Sequence, residues 1–310
     1  MATTVTVGTN YAGKEAGAII GAAFKEADTL RLGFVTVAEN VNAKLNLRKI
    51  AYTDGTVDYT CGFTPEGAIT LSEKVIDPKK VMNPLQVCKE DFRATWSGDT
   101  EGASASNPNV PADIMEAIQL ELLSSQAQKI DDDIWNGVNA TNGEIGDGFI
   151  VQFAADASIV KVGNGITSIA TPTTEANVEA NLKIALNAIP RALRRSKTLQ
   201  IGVSGDVFQN YMFYLISKGI ANDGNTDEKQ TKFGKYTLIE LNGLADNTII
   251  CAEKTNLIFA TGLLGDHNEL ALVDEDEIGL LTGQVRGKMV YNGGMGYYNS
   301  EEIVWFLTTA

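Results

Sequence analysis

The chain has 310 residues, of which 44% are hydrophobic and 21% are charged, and both fractions are ordinary for a packed globular protein. Its 25 Lys and Arg against 39 Asp and Glu give a net charge of -14. Such a charge repels nucleic acid and anionic membranes, which argues against a DNA-binding protein. No apolar run approaches the roughly 20 residues of a membrane-spanning helix. The three widely spaced cysteines match neither a disulfide framework nor a metal pair, so we expect reduced thiols in a cytoplasm.

The first predicted elements are a short amphipathic helix over 12–30 and, after it, an extended ribbon. Between residues 45 and 75 the pattern has period two, and Val57, Tyr59 and Phe63 share one face of a predicted strand. Asp54-Gly55 before that strand is a typical hairpin signal. We therefore expect an antiparallel meander. Because an isolated ribbon is barely stable in water, it must lie on its own body or on another chain.

A single long helix follows the polar loop 97–109. It is predicted over about 111–137, ending at Gly137, because apolar residues recur at multiples of four at Ile114, Ile118, Leu122, Ile130 and Ile134. Such a helix is roughly 37 Å long, enough to form the backbone of a domain.

Three consecutive aspartates, Asp131, Asp132 and Asp133, lie in the last turns of this helix. Successive residues are about 100° apart around a helix, so the three carboxylates fan out and do not converge on one ion. The calcium-loop template also fails. Two interpretations stay open: a face turned to solvent, or a contact with a basic partner. The chain offers one basic candidate, the segment "RALRRSK" with Arg191, Arg194 and Arg195.

The second half alternates helices and strands. Residues 174–196 are predicted as a helix kinked at Pro190, and residues 198–219 as a buried strand, a tight turn and a helix. Further strands are predicted at 237–244 and 247–261, and the tail is predicted to form strands separated by 292–294. The pattern predicts a mixture of α and β structure.

The motifs that could carry catalysis or bind a cofactor or a cation are weak throughout the sequence. His267 has no nucleophile nearby in sequence, and "GVSGD" at 202–206 lacks the spacing of a nucleophile elbow, with Ser204 or Asp206 capping the next helix as the simpler explanation. "NGGMGYY" lacks a glycine of the dinucleotide loop. The acidic segment 273–279 is more typical of a solvated loop than of a cation site. We expect no catalytic residue, no cofactor and no metal.

The order of elements and several segments carry a resemblance to a known family. A short N-terminal arm, a long hairpin, one long helix and a mixed domain occur together with "CGFTPEGAITLSEKVIDPKK", "LQVCKEDFRATW", "KIDDDIWNG" and "GQVRGKMVYNGGMGYYNSEEIVWF". Over nearly its whole length the chain resembles the major capsid proteins of tailed double-stranded DNA bacteriophages, most of all those of crAss-like phages and their relatives. Encapsulin shells share this HK97-like capsid fold.

The resemblance implies an α+β protein with an N-arm, an extended β-hairpin loop, a long spine helix in a peripheral domain, and an axial domain. The implied boundaries are 1–46 for the N-terminal arm, 47–100 for the extended loop, 101–169 for the peripheral domain with its spine helix at about 111–137, 170–275 for the axial domain and 276–310 for the return to the peripheral domain.

The implied function is that of a structural subunit, not an enzyme. It would self-assemble into hexamers and pentamers of an icosahedral head in the virion, built in the host cytoplasm and enclosing DNA without sequence-specific binding. Implied partners are other copies, a portal and accessory head proteins, and no membrane. Because the arm starts close to Met1, we expect a separate scaffolding protein or none.

The resemblance also implies where copies meet. Val57, Tyr59 and Phe63 would find apolar partners on the next subunit, and Ile134 and Trp135 would pack inward. The three aspartates would face solvent or a neighbour's basic residues, for which Arg191, Arg194 and Arg195 are the candidates. Two alternatives remain, an encapsulin-type cargo compartment and a cytoplasmic α/β enzyme.

Overall fold

The computed structural model describes residues 27–41, 43–59, 61–62, 65–88, 112–162, 164–166, 172–191, 193–218, 230–262, 271–276, 278–280 and 282–307. The helices in these ranges are α1 Asp28–Arg31, α2 Ala112–Asn136, α3 Phe149–Ala155, α4 Val178–Ala188 and α5 Gly205–Ser217. The strands are β1 Thr36–Ala38, β2 Leu45–Thr53, β3 Ala68–Ile76, β4 Lys79–Cys88, β5 Lys161–Val162, β6 Gly165–Ile166, β7 Leu199–Val203, β8 Gln230–Phe233, β9 Tyr236–Glu240, β10 Thr248–Glu253, β11 Leu257–Ala260, β12 Ala271–Asp274, β13 Gln284–Tyr297 and β14 Val304–Leu307. The predicted α+β class is confirmed, while the helix predicted over 12–30 lies outside these ranges up to residue 26.

The long helix α2 is confirmed, with 25 residues. Its second half buries Ile130, Ile134 and Trp135 completely. It ends at a glycine, as predicted, but Gly137 is needed for space and not for a left-handed backbone. A Cβ there would lie 2.6 Å from the Asp133 carbonyl oxygen and 2.7 Å from that of Gly146.

The first sheet is organised around β13. Its first half pairs with β4 on one side and β12 on the other, and its second half pairs with β11, to which β1 adds a parallel strand. The predicted break at 292–294 is wrong, because β13 runs through it. The glycines allow other side chains to pack directly against the backbone of β13. A Cβ on Gly293 would lie 2.6 Å from the Ile145 side chain, and a Cβ on Gly294 would lie 2.9 Å from the Ile76 side chain.

The second sheet has the order β14-β10-β7-β9-β8, and α4 and α5 pack against it. The predicted strand, turn and helix over 198–219 correspond to β7 and α5. The kinked helix predicted over 174–196 instead stops at Ala188, before Pro190, because proline cannot donate the next helical hydrogen bond. A 3₁₀ turn at Leu193–Arg195 follows.

Two apolar cores lie on opposite faces of the second sheet. Trp305 lies in the core shared with α2 and β13, whereas Val304 and Phe306 lie in the core shared with α4, α5 and β7. The alternation of a strand accounts for this division, since successive side chains point to opposite faces. The same division runs through β10, whose Ile250 and Ala252 lie in the first core and whose Ile249 and Cys251 lie in the second, so the second sheet is covered on both faces.

Candidate interaction surfaces

The predicted ribbon is a long hairpin formed by β2 and β3, which are nine residues each and pair antiparallel from Leu45↔Ile76 to Thr53↔Ala68. The strand predicted around Val57 and Tyr59 is wrong, since residues 54–59 lie in the connection between the two strands. Hydrogen bonds of Asp54 explain why this segment forms a connection and not a strand. Its carboxylate accepts hydrogen bonds from the Thr56 backbone N–H at 3.1 Å and from the Thr56 hydroxyl at 2.6 Å, and such local bonds compete with a strand ladder.

The root of the hairpin is fixed to the body. Leu47 and Ile76 are buried against Ile258 and Ala260. The Lys74 Nζ lies 3.0 Å from the centroid of the Tyr297 ring, and burial lowers the pKa of Lys74 to about 8, with nearby Asp156 acting in the opposite direction. Contacts within the chain therefore fix the end of the hairpin that lies next to the body.

Beyond the root, one face of the hairpin is apolar and uncovered. Ile50 is paired with Leu71 and Tyr52 with Ile69, so the four side chains share one face. Their exposed fractions lie between 67% and 73%. We call these four residues the outer hairpin face. A contiguous apolar patch of this kind is typical of a protein–protein contact.

The ribbon residues predicted to meet the next subunit are Val57, Tyr59 and Phe63. Val57 and Tyr59 are indeed exposed, Tyr59 to 93%, whereas Phe63 lies outside the described residues. The outer hairpin face was missed, although the alternation of Ile50 with Tyr52 and of Ile69 with Leu71 on either side of the turn could have indicated it.

The three aspartates diverge, as predicted, but two of them are buried, and the expectation that they face solvent or a neighbour is wrong for Asp131 and Asp133. Successive residues of α2 are about 100° apart around the helix axis, so the three carboxylates do not converge on one ion. For the same reason each carboxylate meets a different neighbour inside the chain. Asp132 alone stays at the surface, where it accepts a hydrogen bond of 2.8 Å from the Asn136 amide.

Asp131 joins three parts of the chain. One of its oxygens accepts a hydrogen bond from the Thr29 backbone N–H at 2.9 Å, and the other accepts one from the Gly243 N–H at 3.0 Å. Trp135, one turn further along α2, donates its indole N–H to the Thr29 hydroxyl at 2.7 Å. Burial raises the pKa of Asp131, and the two N–H donors oppose that shift. The carboxylate thus holds α1 and the loop after β9 against α2.

A substitution of Gly243 tests the junction of α1 and the loop after β9 with α2. A Cβ at this position would lie 2.4 Å from the Asp131 carbonyl oxygen and 2.8 Å from the Trp135 ring, so we expect Gly243→Ala to lower the free energy of unfolding by about 1–3 kcal/mol. Gly62→Ala is the matched control, because a Cβ there meets nothing within 4 Å. Equal denaturation midpoints for the two variants would contradict the close approach.

Asp133 lies at the second buried site. The Lys129 Nζ is 2.6 Å from one of its oxygens and 3.1 Å from the Glu144 carboxylate. Burial raises the pKa of Asp133 to about 6, and Lys129 acts against that shift. Glu144 also accepts the Val138 backbone N–H at 3.0 Å, so the three charged groups fix the loop after α2.

A pH titration of stability tests Asp133. Its pKa in the folded chain lies above the ordinary value, so its contribution to stability is full below about pH 4 and is lost as the pH rises to 6. Asp133→Asn cannot titrate. We expect the variant to gain up to about 3 kcal/mol relative to the parent chain between pH 4 and pH 6, measured as the difference of two urea denaturation series. A constant difference across this range would contradict the raised pKa.

The basic segment does not meet the aspartates within the described part of the chain. Arg194 donates its Nε–H to the Ile189 carbonyl at 2.9 Å and a second N–H to the Asn187 carbonyl, so it caps the end of α4. Arg191 and Arg195 are exposed. A contact of these arginines with a neighbouring copy stays a prediction.

The catalytic candidates have structural partners. Ser204 is buried at the N-cap position of α5, but its hydroxyl donates to Asp206 at 2.5 Å and accepts the Thr248 N–H at 3.1 Å, in place of the predicted cap. Glu275 in the acidic segment is likewise buried, 2.8 Å from Arg286, so that segment is not simply solvated. His267 lies outside the described residues.

Metal-binding clusters and membrane-spanning helices are both absent from the described ranges. They contain no group of three or more His, Cys, Asp or Glu side chains that could hold a metal ion. No helix in them is both long enough and apolar enough to cross a membrane.

Comparisons with known proteins identify the fold. No protein-family model and no curated protein matches the sequence. Among solved structures, the capsid of Myoviridae phage XM1 is 13% identical, with 99% of this chain and 96% of that chain covered and a TM-score of 0.59. The satellite phage P4 procapsid with its size determination protein is 10% identical, with 93% of this chain and 97% of that chain covered and a TM-score of 0.58. The virus-like particle from Pyrococcus furiosus is 11% identical, with 94% of this chain and 96% of that chain covered and a TM-score of 0.52.

These likenesses extend over nearly the whole chain at very low sequence identity, so they report on fold. The chain has the HK97-like capsid fold, as the resemblance predicted. The particular likeness to crAss-like phages and the predicted domain boundaries stay predictions.

Proposed function

We propose that the chain is the structural subunit of a protein shell, and specifically the major capsid protein of a tailed phage. The observation that carries the proposal is the outer hairpin face, because four large apolar side chains stand on an arm that the chain itself does not cover. An assembly in which each arm lies across the next subunit would bury them. The capsid fold supports the same conclusion.

Within this proposal the subunits form hexamers and pentamers of an icosahedral head that encloses double-stranded DNA. The net charge of -14 suits such a wall, since a repelling inner surface lets DNA be packed without specific binding. A separate scaffolding protein, a portal and accessory head proteins are the proposed partners, the virion is the proposed location, and the host cytoplasm is the proposed place of assembly.

A second candidate is an encapsulin-type compartment, which the likeness to the Pyrococcus furiosus virus-like particle favours. The two shells differ in what they enclose. Particles purified from a phage-infected host should contain DNA and a portal, whereas a compartment would contain a co-purified protein. A cytoplasmic α/β enzyme is the weaker alternative, because the similar solved structures are a procapsid, a virus-like particle and a capsid.

Light scattering with size-exclusion chromatography tests the proposal on the chain expressed alone. We expect rings or closed particles whose share rises with protein concentration and with a crowding agent, because assembly is driven by mass action. A folded chain that stays monomeric under all conditions, including co-expression with neighbouring head genes, would contradict it.

A further inference from the structure

The sequence contains five Asn-Gly dipeptides, at 136–137, 142–143, 164–165, 242–243 and 292–293. Asn-Gly is the dipeptide most prone to spontaneous deamidation, because glycine has no Cβ to hinder the attack of its backbone nitrogen on the asparagine side chain. The reaction requires that this nitrogen and the asparagine amide move towards each other. The contacts of each dipeptide therefore determine whether it reacts in the folded chain.

Four of the five dipeptides are held in place, because hydrogen bonds fix the asparagine side chain. They are Asn136, bound to Asp132 and to the Gly243 carbonyl, Asn164, bound to the Ala157 and Ile159 carbonyls, Asn242, bound to Asp28, and Asn292, bound to the Gly262 N–H. At two of them the attacking nitrogen is engaged as well. The Gly137 N–H donates to the Asp133 carbonyl at 3.1 Å, and the Gly243 N–H donates to the Asp131 carboxylate at 3.0 Å. These four dipeptides react only after the fold opens locally.

The fifth dipeptide lies in the loop between α2 and α3. Asn142 and Gly143 are both exposed, and neither the Asn142 side chain nor the Gly143 N–H has a hydrogen-bond partner among the described residues. Gly143 has a φ of +86°, and a Cβ at this position would meet nothing within 4 Å. Neither a hydrogen bond nor a packed neighbour therefore restrains the two groups that react.

The same loop is fixed on both sides of this dipeptide. The Val138 N–H donates to Glu144 at 3.0 Å, and the Asn139 N–H donates to Asp147 at 2.9 Å. From β4, the Lys79 Nζ donates to the Asn139 carbonyl at 3.1 Å. A change confined to the exposed part of the loop leaves these bonds in place, so the modified chain stays folded.

We propose that Asn142 is a site of spontaneous deamidation in the folded chain. The Gly143 nitrogen gives its proton to a base in the solvent and attacks Cγ of Asn142, the bond from Cγ to Nδ2 breaks, and the side-chain nitrogen leaves as ammonia. Water then opens the succinimide ring, at Cγ to give aspartate or at the backbone carbonyl carbon to give isoaspartate. Each copy gains one negative charge beside Glu144 and Asp147. This inference is independent of the proposed function.

Peptide mass spectrometry of the intact folded chain, incubated in mildly alkaline buffer, tests the site. We expect the peptide with Asn142 to be converted at least about tenfold faster than the peptides with the other four dipeptides, because a site that must open locally is reactive for only a small fraction of the time. Protein isoaspartyl methyltransferase should methylate the same peptide. In mildly acidic buffer the conversion should slow, because the attacking nitrogen must lose its proton.

The same chain unfolded in urea is the control for the role of the fold. There we expect all five dipeptides to react within about threefold of one another, since none is held by native contacts. Asn142→Gln should remove the modification and leave the urea midpoint of the folded chain unchanged, because the side chain is exposed. An Asn142 that reacts no faster than the other four asparagines in the folded chain would overturn the site. An equal lead of Asn142 in urea would also overturn the inference, since the contacts of the fold would then not be the cause.

Discussion

We expect that replacing Ile50 and Leu71 together with serine abolishes assembly and leaves the subunit folded. The two side chains face each other across β2 and β3 and are exposed to 70% and 73% in the single chain, so their removal costs the isolated subunit little. In the proposed shell they would be buried, and each truncation would remove about 2–3 kcal/mol of apolar contact from every interface. Light scattering measures the loss of particles, and urea denaturation of the monomer measures the fold.

The matched control lies on the opposite face of the same hairpin. Ala51 and Thr70 form the next cross-strand pair, and both are exposed. Ala51→Ser with Thr70→Ser makes comparable changes in the same strands without touching the outer hairpin face, so it should assemble like the parent chain. Loss of assembly in both double variants would mean that the hairpin itself had been damaged, and normal assembly in both would contradict the role of the outer hairpin face.

Truncation of Trp135 has the largest expected effect on stability. The ring is fully buried, and its centroid lies 5.8 Å from that of Phe34 and 5.4 Å from that of Phe149. Its N–H also binds the Thr29 hydroxyl. Trp135→Ala removes this packing and leaves a cavity between α1, α2 and α3, so we expect the free energy of unfolding to fall by about 3–5 kcal/mol.

Two variants separate packing from hydrogen bonding at this position. Trp135→Phe keeps most of the apolar volume and loses the bond to Thr29, for which we expect about 1–2 kcal/mol. Tyr59→Ala, at an exposed site in the hairpin connection, should change stability by less than about 0.5 kcal/mol. A loss below about 1 kcal/mol for Trp135→Ala would show that α1 and α2 are not joined as described.

Local patterns predicted most of the fold. The helical period of the apolar residues up to Ile134 predicted α2, and the turn signals around the ribbon predicted a hairpin. The failures have specific causes. β13 passes through 292–294 because the glycines there admit Ile145 and Ile76 from elsewhere in the chain. The helix ahead of Pro190 stops at Ala188 because proline ends the hydrogen-bond ladder.

The interaction surfaces were harder to predict because burial depends on distant partners. Asp131 is buried by Thr29 and Gly243, which lie 102 and 112 residues away in sequence, and no local pattern indicates such a contact. The first sheet depends on the pairing of β4 with β13, which are about 200 residues apart in sequence. Tyr59 was predicted in a strand and instead lies exposed in the hairpin connection, which the Asp54-Gly55 turn signal before it did not reveal.

Cryo-electron microscopy of particles formed by the purified chain tests whether the chain is a shell subunit whose hairpin contacts a neighbour. We expect closed shells or isolated hexameric and pentameric rings, with the hairpin of each copy lying over a neighbour and the outer hairpin face buried. Particles in which the hairpin projects into solvent and copies meet elsewhere would contradict the role given to the hairpin. A chain that remains monomeric with every partner supplied would contradict a shell subunit.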